Sequence, residues 1–103
     1  MHESENTQIK KEIVVSGDEA LKVADALTAT TMKVLKLLWE KPLDVSTIGK
    51  KLGLSQAYIS EQVKILEGLK LLNASYEPGK RGIRKVCSPT VAQVTLLIRE
   101  DKK

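Results

Sequence analysis

The sequence predicts a fold that is mainly α-helical with one small β-hairpin, an α+β class, and two stretches carry that prediction. Residues 53–66, GLSQAYISEQVKIL, read as a tight turn feeding a helix with one polar face. Residues 78–88, PGKRGIRKVCS, read as a basic hairpin a short distance further on. Helix, turn, helix and then hairpin is the order of a winged helix-turn-helix, and double-stranded DNA is the first partner such an order suggests.

The elements can be justified in chain order. Residues 1–8 are polar and are expected to form a disordered tail, leaving 9–103 as a single domain. IKKEIVV, 9–15, ends in β-branched residues and suits a short edge strand. Ser16 or Asp18 can cap the helix that follows, roughly 18–27, whose expected packed stripe is Ala20, Leu21, Ala24 and Leu27. TATT, 28–31, interrupts it. A second helix, about 30–40, carries Val34, Leu35, Leu37, Leu38 and Trp39 and reads as nearly buried, with Lys41-Pro42 ending it.

Asp44 can cap a third helix, 45–52, with Val45, Ile48 and Leu52 inward, and Gly53 is placed to stop it in a left-handed conformation. Ser55 caps the fourth helix, 56–70, where Ile59, Val63 and Leu66 recur at helical spacing and face the core. LLNASYE, 71–77, and IRKVCS form the hairpin around a loose Lys80-Arg81-Gly82 turn, and Pro89 stops the ladder. VAQVTLLIRE, 91–100, places Val91, Val94, Leu97 and Ile98 on one helical face. Its β-branched content would also suit a strand, but the spacing predicts a helix.

Composition narrows the function classes. The chain has 103 residues, 42% of them hydrophobic, with Trp39, Tyr58 and Tyr76 as its aromatics, so the core must be aliphatic. No apolar run has the length of a membrane span, the first residues lack the apolar stretch of a signal peptide, and Cys87 is the single cysteine, so a reducing cytoplasm is expected. Cys87 is expected to point inward as a small apolar residue, and Trp39 to lie in the core or at the edge of a small pocket. No catalytic constellation is present: the lone histidine, His2, lies in the expected tail, and GKRG at 79–82 lacks the strand-loop-helix context of a phosphate loop. An enzyme is therefore not expected, and no cofactor either.

Net charge is +4, from 17 Lys+Arg against 13 Asp+Glu. Lys80, Arg81, Arg84 and Lys85 stand in the hairpin with no acid among residues 78–88, whereas the first 25 residues lean acidic, so the excess is local and suited to phosphates. In the helix pair, Gly53-Leu54-Ser55 supplies a glycine, an apolar residue expected to pin the turn to the core, and a cap. The next helix then offers Gln56, Ala57, Tyr58, Ser60 and Lys64 as candidate DNA-facing residues. Gln56 can read adenine, Ser60 can reach a base edge or phosphate, and Lys64 can reach a phosphate or guanine. Glu61 is the acid among them, suited to a cytosine amino group or to plain solvent.

ALTATTMKVLKLL, 26–38, resembles the opening motif of the arsenical-resistance-repressor (ArsR) family of winged-helix regulators, and LDVSTIGKKLGLSQAYISEQVKILEGLKLL, 43–72, resembles that family's helix-turn-helix. The wing PGKRGIRKVC resembles an archaeal branch, and the likeness spans about residues 18–99. It implies that the helix bearing Gln56, Ala57, Tyr58, Ser60 and Lys64 enters the major groove. It also implies that Lys80 and Arg81 approach the minor groove or backbone, and that the protein pairs through its first and last helices, about 18–27 and 90–99. Leu21, Val91, Val94, Leu97 and Ile98 are the candidate dimer residues on that reading. Two departures stand out. Met32 occupies a position where the family usually has arginine. Asp44-Val45-Ser46 stands where metal-sensing members have a Cys-x-Cys pair, so no metal partner is expected, since a thiolate sensor needs two or more soft ligands.

The expected function is a homodimeric, sequence-specific regulator of transcription in the cytoplasm. Two alternatives stand beside it: an architectural, chromatin-like DNA-binding protein with little sequence choice, and a winged-helix module for protein–protein contact.

Overall fold

The structure, a computed structural model, describes residues 11–99. The expected tail at 1–8 with His2, and the acids Glu100 and Asp101, lie outside the described residues. In chain order the elements are β1 (Glu12–Val15), α1 (Gly17–Ala26), α2 (Ala29–Glu40), β2 (Leu43–Asp44), α3 (Val45–Leu52), α4 (Gln56–Gly68), β3 (Leu72–Gly79), β4 (Gly82–Pro89) and β5 (Gln93–Leu96). A three-stranded antiparallel sheet of order β2-β4-β3 joins the four helices, which is the winged helix-turn-helix. A separate two-stranded ribbon pairs β1 with β5 in parallel.

Local chemistry sets the helix ends. The break at 28–31 is a reciprocal cap. Thr28 N–H donates to the Thr31 hydroxyl oxygen at 2.9 Å, and Thr31 N–H donates to that of Thr28 at 3.2 Å. The Thr31 hydroxyl also donates to the Ala26 carbonyl at 2.6 Å, so this fully buried polar side chain is satisfied and ties the start of α2 to the end of α1. Ser16 is the N-cap residue of α1 but its side chain makes no capping bond. Asp44 caps α3, accepting from Thr47 N–H at 2.9 Å, and Lys41 ends α2 with extended backbone before Pro42.

One core draws on nearly every element: Val15 of β1, Val23 of α1, Val34, Leu35 and Leu38 of α2, Val45 and Ile48 of α3, Ile59, Val63 and Leu66 of α4, and Leu71, Leu72, Cys87 and Val91 around the hairpin. Burying each of these aliphatic side chains contributes about 1.5–3 kcal/mol. On α1 the packed face differs from the expected stripe. Val23 and Ala26 are buried, while Leu21 and Ala24 face solvent. Ala20, Leu21, Val23, Ala24 and Ala26 together wrap too far round that helix for spacing alone to choose a side. Trp39 is more than a third exposed, and its indole N–H donates to the Val91 carbonyl at 2.8 Å, tethering α2 to the segment after the wing.

Residues 91–98 correct the helix expected there. Gln93–Leu96 is a strand in register with Glu12–Val15, pairing Glu12 with Gln93 and Val15 with Leu96. Alternation then decides the faces. Ile13, Val15, Val94 and Leu96 share one face, and Val15 is buried. Glu12, Val14, Gln93 and Thr95 share the other, where the Glu12 carboxylate accepts from the Gln93 amide at 3.2 Å and the Thr95 hydroxyl at 2.9 Å. The expected helical face of Val91, Val94, Leu97 and Ile98 therefore does not exist. Val91 is buried in the core, Val94 is half-buried, and Leu97 and Ile98 are exposed. The β-branched residues Val94 and Thr95 favour the strand once a partner strand is within reach.

Candidate nucleic-acid interface

The turn between α3 and α4 is built from backbone. Gly53 takes the left-handed conformation, φ 70° and ψ 34°, that closes α3. Leu54 N–H donates to the Gly49 carbonyl at 2.9 Å. A Cβ on Gly49 would stand 2.8 Å from the Leu54 carbonyl oxygen, so the turn can close this tightly only over a glycine. Leu54 itself is 38% exposed, which corrects its expected role as a core pin: the hydrogen bond to Gly49 and the left-handed Gly53 hold the turn instead.

The Ser55 hydroxyl accepts from Tyr58 N–H at 3.1 Å and caps α4. Ile59, Val63 and Leu66 are completely buried, fixing which side of α4 faces out. Gln56, Ala57, Tyr58, Glu61 and Lys64 are exposed, as the sequence predicts. Ser60 is half-buried, because in a helix it lies only about 60° round from Val63. The helix ends at Gly68, two residues earlier than expected, and Lys70 follows with a positive φ of 64°. Sequence reasoning passed over Lys50 and Lys51, exposed in the last turn of α3 just before the turn into α4. Their signal was legible as a lysine pair preceding the Gly-Leu-Ser turn.

The hairpin divides the four expected wing cations. Its tip is a tight two-residue loop, with Gly79 paired to Gly82 and Lys80-Arg81 exposed between them. Among the described residues neither tip cation makes an ion pair. Arg84 lies 3.5 Å from the Asp44 carboxylate and 3.7 Å from that of Glu77, its cross-strand partner. Lys85 lies 3.0 Å from the carboxylate of Glu67 on α4. The acid-free stretch 78–88 thus meets acids from three other places in the chain, and half of its charge is internally matched.

The titration shifts follow this geometry. Hydrogen bonds from Thr47, aided by the Arg84 charge, hold the Asp44 carboxyl below its ordinary value of 3.8 despite partial burial. Burial alone would lower the Lys85 ammonium, but its hydrogen bond to Glu67 and their attraction outweigh that and keep it above the usual lysine value. Burial pushes the Cys87 thiol up to about 11, so this completely buried residue behaves as an apolar side chain. Among the described residues no three His, Cys, Asp or Glu side chains gather as a metal site, and no helix is long and apolar enough to cross a membrane.

Residues 29–74 match the family model described as bacterial regulatory protein, arsR family. No curated protein sequence matches the chain. Among solved structures, the chain is similar to a possible transcriptional regulatory protein (fragment 1-100) from Mycobacterium bovis, with a TM-score of 0.61 and 22% identity over 71% of this chain and 75% of that one. A possible transcriptional regulator from Methanosarcina mazei Go1 superposes with a TM-score of 0.59 at 20% identity, covering 73% of this chain and 66% of that one. HlyU from Vibrio cholerae N16961 gives 0.58 at 20% identity, covering 72% and 77%. These likenesses carry the fold, and the matched segment holds the α3–α4 pair with its glycine turn and the α2 helix that supports it. The fold is that of a winged helix-turn-helix, and its central segment, residues 29–74, is similar to the arsR family of bacterial regulatory proteins.

Proposed function

We propose that the protein acts as a homodimer that recognises a roughly palindromic double-stranded site, with α4 as its sequence reader. The observation that carries this reading is the split of α4: Ile59, Val63 and Leu66 are wholly buried, while Gln56, Ala57 and Tyr58 stand exposed at its capped N-terminal end. Recognition helices of this class meet base edges with their first turns. Gln56 is suited to adenine, Lys64 to phosphate or guanine, and the half-buried Ser60 to a groove-edge contact. Lys80 and Arg81 supply phosphate contacts from the wing tip, whereas Arg84 and Lys85 hold the wing against β2, β3 and α4. That division also weighs against an architectural protein bound chiefly by charge, because among the described residues two of the four wing cations, Arg84 and Lys85, are already matched by acids.

For the pairing surface, the ribbon leaves Leu21, Leu97 and Ile98 of the expected set. They line one groove of about 440 Å³ with Ala20, Ala24 and Leu96. Leu21 is 70% exposed and Ile98 fully so, and an isologous contact would cover both. Val91 and Val94 serve the core of the subunit instead.

The test compares Gln56→Ala with Lys64→Ala on preferred and random duplexes at one salt concentration. Gln56→Ala should cost on the order of 1–3 kcal/mol per half-site on the preferred duplex and far less on random DNA. Lys64→Ala should weaken both alike. Equal losses for Gln56→Ala on the two duplexes would overturn α4 as the reader.

A further inference from the structure

The core-facing side of the wing runs out past the body of the protein and, apart from Lys85, stays apolar. Register places Ala74 opposite Cys87, Tyr76 opposite Lys85, and Pro78 opposite Ile83, and strand alternation puts these pairs on one face. Cys87 is buried, yet two steps further out Tyr76 is 65% exposed and Ile83 is 75% exposed. The same face is the one turned towards α4, because Lys85 reaches Glu67 from it. A duplex lying along α4 would therefore meet Tyr76, Pro78 and Ile83 beside the free cations of the tip.

An isoleucine and a tyrosine on an exposed hairpin are a hazard for edge-to-edge association unless a partner covers them. Charge identifies that partner. Lys80 and Arg81 flank the patch without ion pairs among the described residues, while Glu77, the nearest acid on the hairpin, is matched by Arg84 on the opposite face. The patch is thus bordered by cations and suits a polyanion that also offers apolar surface. The deoxyribose walls of the DNA minor groove are such a surface, and that groove, about 6 Å wide, admits side chains from a hairpin edge.

Resting on the DNA-binding reading above, we propose that Tyr76 and Ile83 form an apolar contact of the wing with the minor groove, distinct from the phosphate contacts of Lys80 and Arg81. Its signature is affinity that does not depend on salt. Ile83→Thr and Tyr76→Thr place β-branched residues in the strands and lie at exposed positions, so the melting temperature should stay unchanged. Each should weaken binding to an A·T-rich duplex about tenfold, with the slope of log K against log salt unaltered. Lys80→Ala should instead lower that slope by about 0.9 for each phosphate the side chain no longer neutralises. Distamycin, which fills A·T minor grooves, should weaken the wild type and leave the double variant Tyr76→Thr/Ile83→Thr nearly unaffected.

Unchanged affinity of both variants would overturn the proposal, as would a salt slope reduced like that of Lys80→Ala. So would a shift in sedimentation of the double variant without DNA, which would assign the patch to self-association. Failure of the wild type to bind any duplex would sink the DNA-binding reading itself, a different result from wild-type binding with unaffected variants.

Discussion

The helix-turn-helix and the β1–β5 ribbon are held by different kinds of interaction. Between Asp44 and Tyr58 each helix end is set by a neighbour a few residues away: Asp44 by Thr47, Gly53 by Lys50, Leu54 by Gly49, Ser55 by Tyr58. In the ribbon, Glu12 meets Gln93 across 81 positions of chain. Local contacts form at little entropic cost, whereas a strand pair of this separation is stable only because the body of the domain has already brought its partners together. The helix pair should accordingly behave as the rigid centre and the ribbon as its dependent edge.

Ile59→Ala puts this contrast under the heaviest strain. It removes a wholly buried side chain from α4 and should cost about 2–5 kcal/mol in urea unfolding. A smaller loss would mean that α4 is not the packed centre. Gly49→Ala should follow at about 1–3 kcal/mol, since its methyl meets the Leu54 backbone oxygen rather than a side chain that could swing away. Duplex affinity should fall with it as the turn opens.

Asp44→Ala comes next, at about 1 kcal/mol for removal of the cap, while Asp44→Asn keeps the cap and gives up only the Arg84 attraction. The pH dependence has a definite sign. The folded carboxyl sits below its ordinary 3.8, so its contribution is fully present above that value and is lost as pH falls through the lower folded one. Stability measured from roughly pH 6 down to roughly pH 2 should therefore decline less steeply for Asp44→Ala than for the wild type. Smallest of all on stability should be Leu21→Ala and Ile98→Ala, within about 0.5 kcal/mol, because both side chains are exposed. Their effect belongs to the oligomer: sedimentation should show weakened dimers, and a wild-type monomer at working concentration would remove the pairing surface.

How far the sequence could be read follows the same division. The caps of α3 and α4, the stop at Gly53 and the inward triplet Ile59, Val63 and Leu66 are written within one or two turns of chain, and all were legible. Val91, Val94 and Leu97 recur at helical spacing, while the β-branched content of the same segment suits a strand. Only the distant Glu12–Val15 settles the matter, and no local pattern reports it. Arg84 and Lys85 looked free for the same reason: Asp44 and Glu67 are remote in sequence and adjacent in space. The reciprocal Thr28–Thr31 cap was legible in principle, hidden inside a stretch that reads merely as a break.

The parallel pairing of β1 with β5 has a mechanical consequence. Because both strands run the same way, the chain enters the ribbon at Glu12 and leaves it beyond Leu96 at the opposite end. Tension applied along the chain from either side would slide the two strands past one another and load all their hydrogen bonds together. Peeling them open one bond at a time would need a different direction of pull. A polypeptide attached on either side would thus tug on the fold in its most resistant direction, and the helix-turn-helix enclosed between the two strands would feel little of the force until the ribbon gives way as a unit.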